Sequence, residues 1–351
     1  MWHFVLLVVC AAAIYFSCEW FVNAVEWLGQ RLNAGRMAVG TILAAFGTAL
    51  PESVVTLVAV TTGGTEQARD IGVGAAMGGP LALATVAYGV TGVVLLVRRR
   101  KAAALALVAP GGSGEREVAR RGEVLTEPEE ARRLVKDQRW FFAVFVVKVA
   151  LGLVAFTIKP WLGLLFFATY AVYFWREIRS GGGESGENEL LAPLKFQPRR
   201  TSPATWAVVA QTLATLAVIF AASQLFVHQL DAIGPMLGLS GAVTALLLSP
   251  IATELPEIMN AIIWVRQGKT SLALANISGA MMIQATVPSG LGLLFTPWRF
   301  NGALLWAGIV TMIAIAYLLA TLRAHKLTPA RLALAAGLYL VFAAGLIPIL
   351  T

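Results

Sequence analysis

Apolar runs of about 20 residues recur along the whole chain, and the short segments between them carry nearly all of the charge. A bilayer core about 30 Å thick is crossed by about 20 helical residues, so each run reads as a membrane span. Lipid offers no hydrogen bonds to the backbone, which favours helices that satisfy their own polar groups. Ten spans result, at 2–28, 36–62, 70–97, 140–157, 161–176, 203–229, 237–265, 270–295, 301–322 and 329–350. Pro160, Pro203 and Pro329 stand at or just before helix starts, where a missing N–H costs little. The glycine-rich run from Gly72 to Gly79 predicts close backbone approach within the third span.

Composition agrees with this pattern. The 351 residues are 58% hydrophobic and 13% charged, against about 25% charged in an average soluble domain. The formal net charge of +8 would suit a nucleic-acid surface, but its placement is that of membrane topology. With the N-terminus outside, the cytoplasmic connections are 29–35, 98–139, 177–202, 266–269 and 323–328. Counting their borders, they hold all of the 27 basic residues except Arg69, Lys148, Lys159 and Arg299. This bias predicts both termini outside the cytoplasm, in a cell membrane of bacterial inner-membrane type.

The first run lacks a basic leader and a small-residue cleavage site, and it carries Glu19, Asn23 and Glu26, so it reads as a retained span. Its Cys10 and Cys18 read as packing thiols. Within 98–139 the signs are mixed, and Glu127 to Asp137 suits a short interfacial helix. Residues 180–202, with Gly181 to Gly183 and three prolines counting Pro203, read as a flexible cytoplasmic linker. The expected organisation is a first five-helix repeat over 1–179, this linker, and a second five-helix repeat over 203–351.

One phrase is written twice inside the spans. Gly47-Thr48-Ala49-Leu50-Pro51-Glu52 lies in the second, and Ala252-Thr253-Glu254-Leu255-Pro256-Glu257 in the seventh. Five spans per half is an odd number, so the second half enters the bilayer inverted. Inverted pairs enclose sites near the midplane, where broken helices offer backbone groups. Thr48, Glu52 and Thr56 share one helix face by their four-residue spacing, as do Thr253 and Glu257, with Asn260 close by. Prolines 51 and 256 free the carbonyls of Gly47 and Ala252, and Pro250 that of Leu246. Carboxylates, hydroxyls and freed carbonyls are hard oxygen ligands suited to Ca²⁺ or Na⁺. Glu254, three residues before Glu257, is a further ligand, and close carboxylates invite protons as competitors. His3, His228 and His325 lie at span ends and do not cluster.

The two phrases resemble the α-repeats of the cation/calcium exchanger superfamily, which includes the sodium/calcium exchangers, and the five-plus-five layout extends the resemblance over nearly all of the chain. The family phrase is approximately Gly-Thr-Ser-Leu-Pro-Glu, followed in the next helix by Gly-Asn-x-x-Gly-Ser-Asn-x-x-Asn/Asp. Here the second motif stands as Gly74-Ala75-Ala76-Met77-Gly78-Gly79-Pro80-Leu81-Ala82-Leu83 and Ala275-Asn276-Ile277-Ser278-Gly279-Ala280-Met281-Met282-Ile283-Gln284. The resemblance implies that Glu52 and Glu257 are the central cation ligands, that Thr48 and Thr253 add oxygens, and that Gln284 serves as a side-chain ligand. Leu83, at the corresponding first-half position, cannot coordinate. The family serine is replaced by Ala49, Gly79 and Ala280, and by Glu254 at the fourth place.

The resulting expectation is an all-α polytopic membrane protein with ten transmembrane helices in a five-plus-five inverted repeat, like the sodium/calcium exchangers. Its expected function is secondary active antiport of Ca²⁺ against Na⁺ or H⁺ by alternating access at a midplane carboxylate site. The alternatives are an exchanger of another cation, or a transport-impaired homologue with a structural or membrane-organising role. No resident cofactor is expected; the expected partners are the lipid bilayer and inorganic cations, with no nucleic acid and an oligomeric state left open, a monomer included. The chain has neither a paired-aspartate nor a His-Glu-x-x-His protease motif, so it is not expected to be an enzyme.

Overall fold

The computed structural model describes residues 2–32, 38–61, 66–108, 124–125, 128–181, 191–236, 247 and 249–350. Some side chains within these helices, Glu52 among them, lie outside the described residues. The described residues form ten helical segments and no strand. They are α1 (Trp2–Arg31), α2 (a π-helical turn Val39–Ala44 continued by Ala45–Thr61) and α3 (Glu66–Ala82, a π-helical turn Leu83–Ala87, then Tyr88–Val108). Next come α4 (Pro128–Leu153), α5 (Leu162–Gly181) and α6 (Thr205–Met236). The last four are α7 (Ser249–Thr253 and Leu255–Gln267), α8 (Thr270–Phe295), α9 (Gly302–Arg323) and α10 (Pro329–Leu350).

Each segment falls on one of the ten expected spans. Six of them, namely α1, the Val73–Lys101 stretch of α3, α6, α8, α9 and α10, are long and apolar enough to cross a membrane on those grounds alone. Helix α4 is not among them because its opening turns are charged, from Glu129 to Arg139. There the structure differs from the sequence expectation. The segment from Glu127 to Asp137 is not a separate interfacial helix; from Pro128 it runs unbroken into the fourth span as α4. Its acidic first turn, Glu129 and Glu130, suits a helix N-terminus.

Packing shows the repeat. Exchange each helix of the first five with its counterpart in the second five, and most of the helix packings find a counterpart, although the α9 backbone packs closely on α10 whereas those of α4 and α5 stay further apart. Helix α8 packs on α4 and α5, and α3 packs on α9 and α10. Helix α2 lies against α8, as α7 lies against α3. The self-paired helices meet each other: α1 runs along α6, and α4 touches α9. Such a map is what a two-fold relation between halves requires, and the odd number of spans makes it an inverted one. Helices α3 and α8 stand at the centre, while α1, α6 and α10 turn much of their surface outward.

Polar groups staple the halves together. Glu26 of α1 accepts from the Trp264 indole at 2.9 Å and from the Lys269 ammonium, both on or next to α7. Arg98 of α3 donates to the Val265 carbonyl at the end of α7, where Gly268 closes the helix at φ 88°. An arginine on the last carbonyls and a left-handed glycine are the two usual ways of ending a helix. The linker also departs from expectation over its second part. Residues 191–202 are fastened rather than free: the Ala192 carbonyl accepts from Asn23 and Trp27, and Phe196 N–H donates to Gln211 of α6 at 2.8 Å. Leu194 is fully buried there. Residues 182–190 of that linker lie outside the described residues.

The α2–α8 crossing depends on missing side chains at Gly40 and, most tightly, at Gly279. A Cβ at Gly279 would collide with the Thr41 carbonyl, carbon and Cα, all backbone atoms that cannot turn aside. Gly74, which the sequence groups with the close-packed glycines, has open space instead. Gly279→Ala is therefore expected to lower the melting midpoint in detergent, with an overpacking cost of about 1–3 kcal/mol. Gly74→Ala should leave the midpoint level or raise it slightly, since alanine is the better helix former. Equal midpoints for the two variants would show that the crossing is not tight.

Candidate functional site

The site begins at a break in α7. The helix stops at Thr253, Glu254 adopts φ −84° and ψ 5°, and a new helix starts at Leu255. Pro256 sits in the first turn of that new helix, where no intrahelical N–H is needed. The corresponding Pro51 of α2 lies inside Ala45–Thr61 without a comparable interruption, and the irregularity of α2 falls earlier, in the π turn Val39–Ala44. The two repeated phrases thus fold differently.

Glu254 is buried at the break. Its Oε1 accepts from Gln284 Nε2 of α8 at 2.6 Å. This pair lies directly on the α3 backbone at Gly79. A Cβ there would come within 2.5 Å of Gln284 Oε1 and 2.7 Å of Glu254 Oε1. The glycine that stands in place of the family serine is therefore what lets α3 lie against the carboxylate and the amide.

One turn further along α7, Glu257 is fully buried, and neither carboxylate oxygen accepts a hydrogen bond among the described residues. The Thr48 side chain of α2 lies against this carboxylate, short of hydrogen-bond geometry to either oxygen. Its Oγ1 proton goes instead to the Ala44 carbonyl, 3.1 Å away. Thr253 likewise spends its proton locally, on the Pro250 carbonyl at 3.1 Å. A hydroxyl whose proton is used in its own helix keeps its lone pairs for a cation.

Two asparagines complete the neighbourhood. Asn260 is fully buried with neither side-chain polar atom partnered among the described residues. Asn276 of α8 donates to the Glu257 carbonyl at 3.4 Å, and its Oδ1 accepts nothing among the described residues. Unpartnered buried polar atoms are costly, so several in one place mark a position built for something else. Of the residues expected from sequence, the structure brings Glu254 to Gln284 and Thr48 to Glu257. The Glu52 side chain lies outside the described residues. Leu83 is buried in the π turn of α3 and offers no oxygen.

Sequence reading missed two features here. Asn276 donates to the backbone of Glu257 itself, and the Cys18 thiol, read as packing, lies 3.7 Å from the Pro256 carbonyl. No spacing in the sequence links residue 18 or 276 to the α7 phrase; only the crossing of α1, α7 and α8 does. The donor set as a whole is oxygen only, from carboxylate, amide and hydroxyl, which suits hard cations.

Comparison with known proteins agrees with the geometry. The family model described as sodium/calcium exchanger protein matches residues 2–178 and 207–347, leaving out the whole linker. The chain is 24% identical over 328 residues to the putative antiporter CaxA of Alkalimonas amylolytica, covering 92% of this chain and 91% of that one. It is 25% identical over 302 residues to the inner membrane protein YrbG of Escherichia coli K12, covering 84% and 81%. Its fold matches the sodium-calcium exchanger NCX_Mj soaked with 2.5 mM Na⁺ and 0.1 mM Ca²⁺, with a TM-score of 0.73, 17% identity and 99% of each chain covered. The same exchanger soaked with 10 mM Na⁺ and zero Ca²⁺ matches at 0.72 and 18% identity. The whole architecture and both repeats are shared, and the chain belongs to the sodium/calcium exchanger protein family.

Proposed function

We propose that this protein is a secondary active antiporter that exchanges Ca²⁺ against Na⁺ or H⁺ by alternating access at the α2–α7 carboxylate centre. The observation that carries the reading is Glu257, a fully buried carboxylate that accepts no hydrogen bond among the described residues. Removing an ionised carboxylate from water costs several kcal/mol unless a positive charge replaces the lost solvation. A transported cation supplies that charge. Glu52, Glu254, Thr48, Thr253 and Gln284 are its further proposed ligands, with Gln284 serving through Oε1 while its amide N–H₂ holds Glu254. The basic loops support both termini outside the cytoplasm, and the name of the Escherichia coli relative, an inner membrane protein, supports a bacterial inner-membrane location.

Flux into proteoliposomes tests this, with Ca²⁺, Na⁺ and pH gradients imposed one at a time. Ca²⁺ movement driven by a Na⁺ or a proton gradient is the expected result, and the gradient that drives it names the counter-ion. No gradient-driven Ca²⁺ movement from correctly inserted protein would reject Ca²⁺ antiport.

Three substitutions sharpen the assignment. Glu257→Gln keeps size and hydrogen-bonding capacity but removes the charge. Losing one charged contact of about 1.5–3 kcal/mol is expected to slow Ca²⁺ exchange by about tenfold or more, with insertion preserved. Near-native flux from inserted protein would remove Glu257 from the centre. In binding measured by isotope or by ligand-dependent melting, Gln284→Ala should weaken Ca²⁺ binding more than Leu83→Ala does. Only the first removes an oxygen and releases a carboxylate from its donor. Equal losses would show that positions 83 and 284 are not counterparts in the site.

A further inference from the structure

Lys148 of α4 is fully buried within the fourth span. Its ammonium donates to the Ala76 carbonyl of α3 at 2.6 Å and lies 4.8 Å from the centre of the Phe145 ring. Among the described residues no carboxylate pairs with it. An ionisable side chain at such a depth is rare, and it calls for a reason.

The carbonyl it meets is a particular one. In an α-helix the carbonyl of residue 76 would accept from the N–H of residue 80, and residue 80 is Pro80, inside α3, with no N–H to give. The proline opens an acceptor in the helix wall and Lys148 fills it. A helical carbonyl points toward the C-terminal end of its helix, so the ammonium sits near the level of Gly79 and Pro80. Gly79 is the residue on which Glu254 and Gln284 rest. One turn of α3 therefore meets the Lys148 ammonium and, at Gly79, the carboxylate of Glu254, which stands where the motif has a serine. The corresponding position of the second half is Met281, which keeps its N–H, and no such opening exists there.

We propose that the Lys148 ammonium is a tethered monovalent cation, held on the carbonyl released by Pro80, which takes up one first-half ion position and so limits how many monovalent ions the centre exchanges. The proposal rests on the antiporter reading for its consequence in transport, but its structural content does not. A freed backbone carbonyl in a membrane interior is an oxygen ligand for Na⁺, and an ammonium carries the same charge. With Lys148 in place, Na⁺ has no entry to that oxygen.

The test is Na⁺-dependent melting of the purified protein in detergent, at constant ionic strength with a bulky organic cation as the replacement. Lys148→Gln removes the charge but keeps a donor. It is expected to lower the half-saturating Na⁺ concentration about tenfold relative to native protein, by opening one more Na⁺ position. Adding Pro80→Ala restores an N–H for the Ala76 carbonyl and should abolish that gain. A folded Lys148→Gln variant with the native Na⁺ response overturns the proposal, and so does a gain that persists with Pro80→Ala. Should the variant fold only when Na⁺ is present, the ion is replacing the ammonium, as proposed; failure to fold at every Na⁺ concentration assigns Lys148 a purely structural role and overturns it. Ca²⁺ flux of the native protein is measured alongside. Absent flux with a gained Na⁺ response sinks the antiporter reading alone, whereas normal flux without a gain sinks only the tethered cation.

Discussion

Hydrocarbon provides no hydrogen bonds, so each polar atom at its centre must find a partner inside the protein or be matched by an ion. The architecture around α7 follows from that demand. Where backbone and side chains can pair, they do: Thr48 and Thr253 return their protons to their own helices, and Lys148 covers the carbonyl that Pro80 exposes. Among the described residues pairing stops at Glu257, Asn260 and the Asn276 Oδ1, at the crossing of α7 with α2 and α8, and separately at Asp137, Tyr170 and Tyr173 on α4 and α5. A packing centre would be expected to remove such atoms. A cation centre needs them, because each lone pair already committed to a donor is one the ion cannot use.

The overall packing is symmetric and the site is not. Most helix packings find a counterpart when the halves are exchanged, yet α7 breaks at Glu254 whereas α2 continues through Pro51. Leu83 offers none of the chemistry of Gln284, Glu254 has no first-half equivalent, and Lys148 answers Pro80 of α3, whose counterpart in α8 is Met281. Fold and site obey different constraints. The fold needs glycines and apolar faces at the crossings, with polar staples such as Glu26 with Trp264 and Lys269 at their ends. The site needs a given number of oxygens and charges, and those can be redistributed between halves without disturbing the crossings.

This division explains what was legible in the sequence. Ten spans, the five-plus-five count and the location of the two phrases follow from apolar run length and charge placement, which are local properties. The continuity of α4 was hidden because the charges before residue 140 read as the end of a helix, although they are only its solvated turns. Docking of residues 191–202 was hidden because Pro193 and Pro198 signal a loop whether or not it is fastened, and the fastening groups, Asn23, Trp27 and Gln211, lie on distant helices. At the site, carboxylates beside prolines stood out, since they are improbable in lipid. The contribution of Asn276 and Cys18 did not, because an asparagine or a thiol is unremarkable in a span until a second helix is known to touch it, whereas the close approach at Gly79 was expected from the glycine run.

In the antiport proposed above, exchange, as opposed to one-way passage, follows from the same energetics. For the centre to face first one side and then the other, it must pass through a state closed to both. Closing it around uncompensated carboxylates costs several kcal/mol for each charge withdrawn from water. Closing it around a bound cation avoids most of that cost, because the ion replaces the solvent that is lost. The empty centre is therefore held open to one side, and only the loaded one crosses, which ties every outward ion to an inward one. The number of ions so tied is set by the charge the centre must balance. Glu254 adds to that charge at the break of α7, and the Lys148 ammonium subtracts from it on the same turn of α3. A carrier built this way alters its stoichiometry by moving a single fixed charge, while the crossings at Gly279 and Gly79 stay as they are.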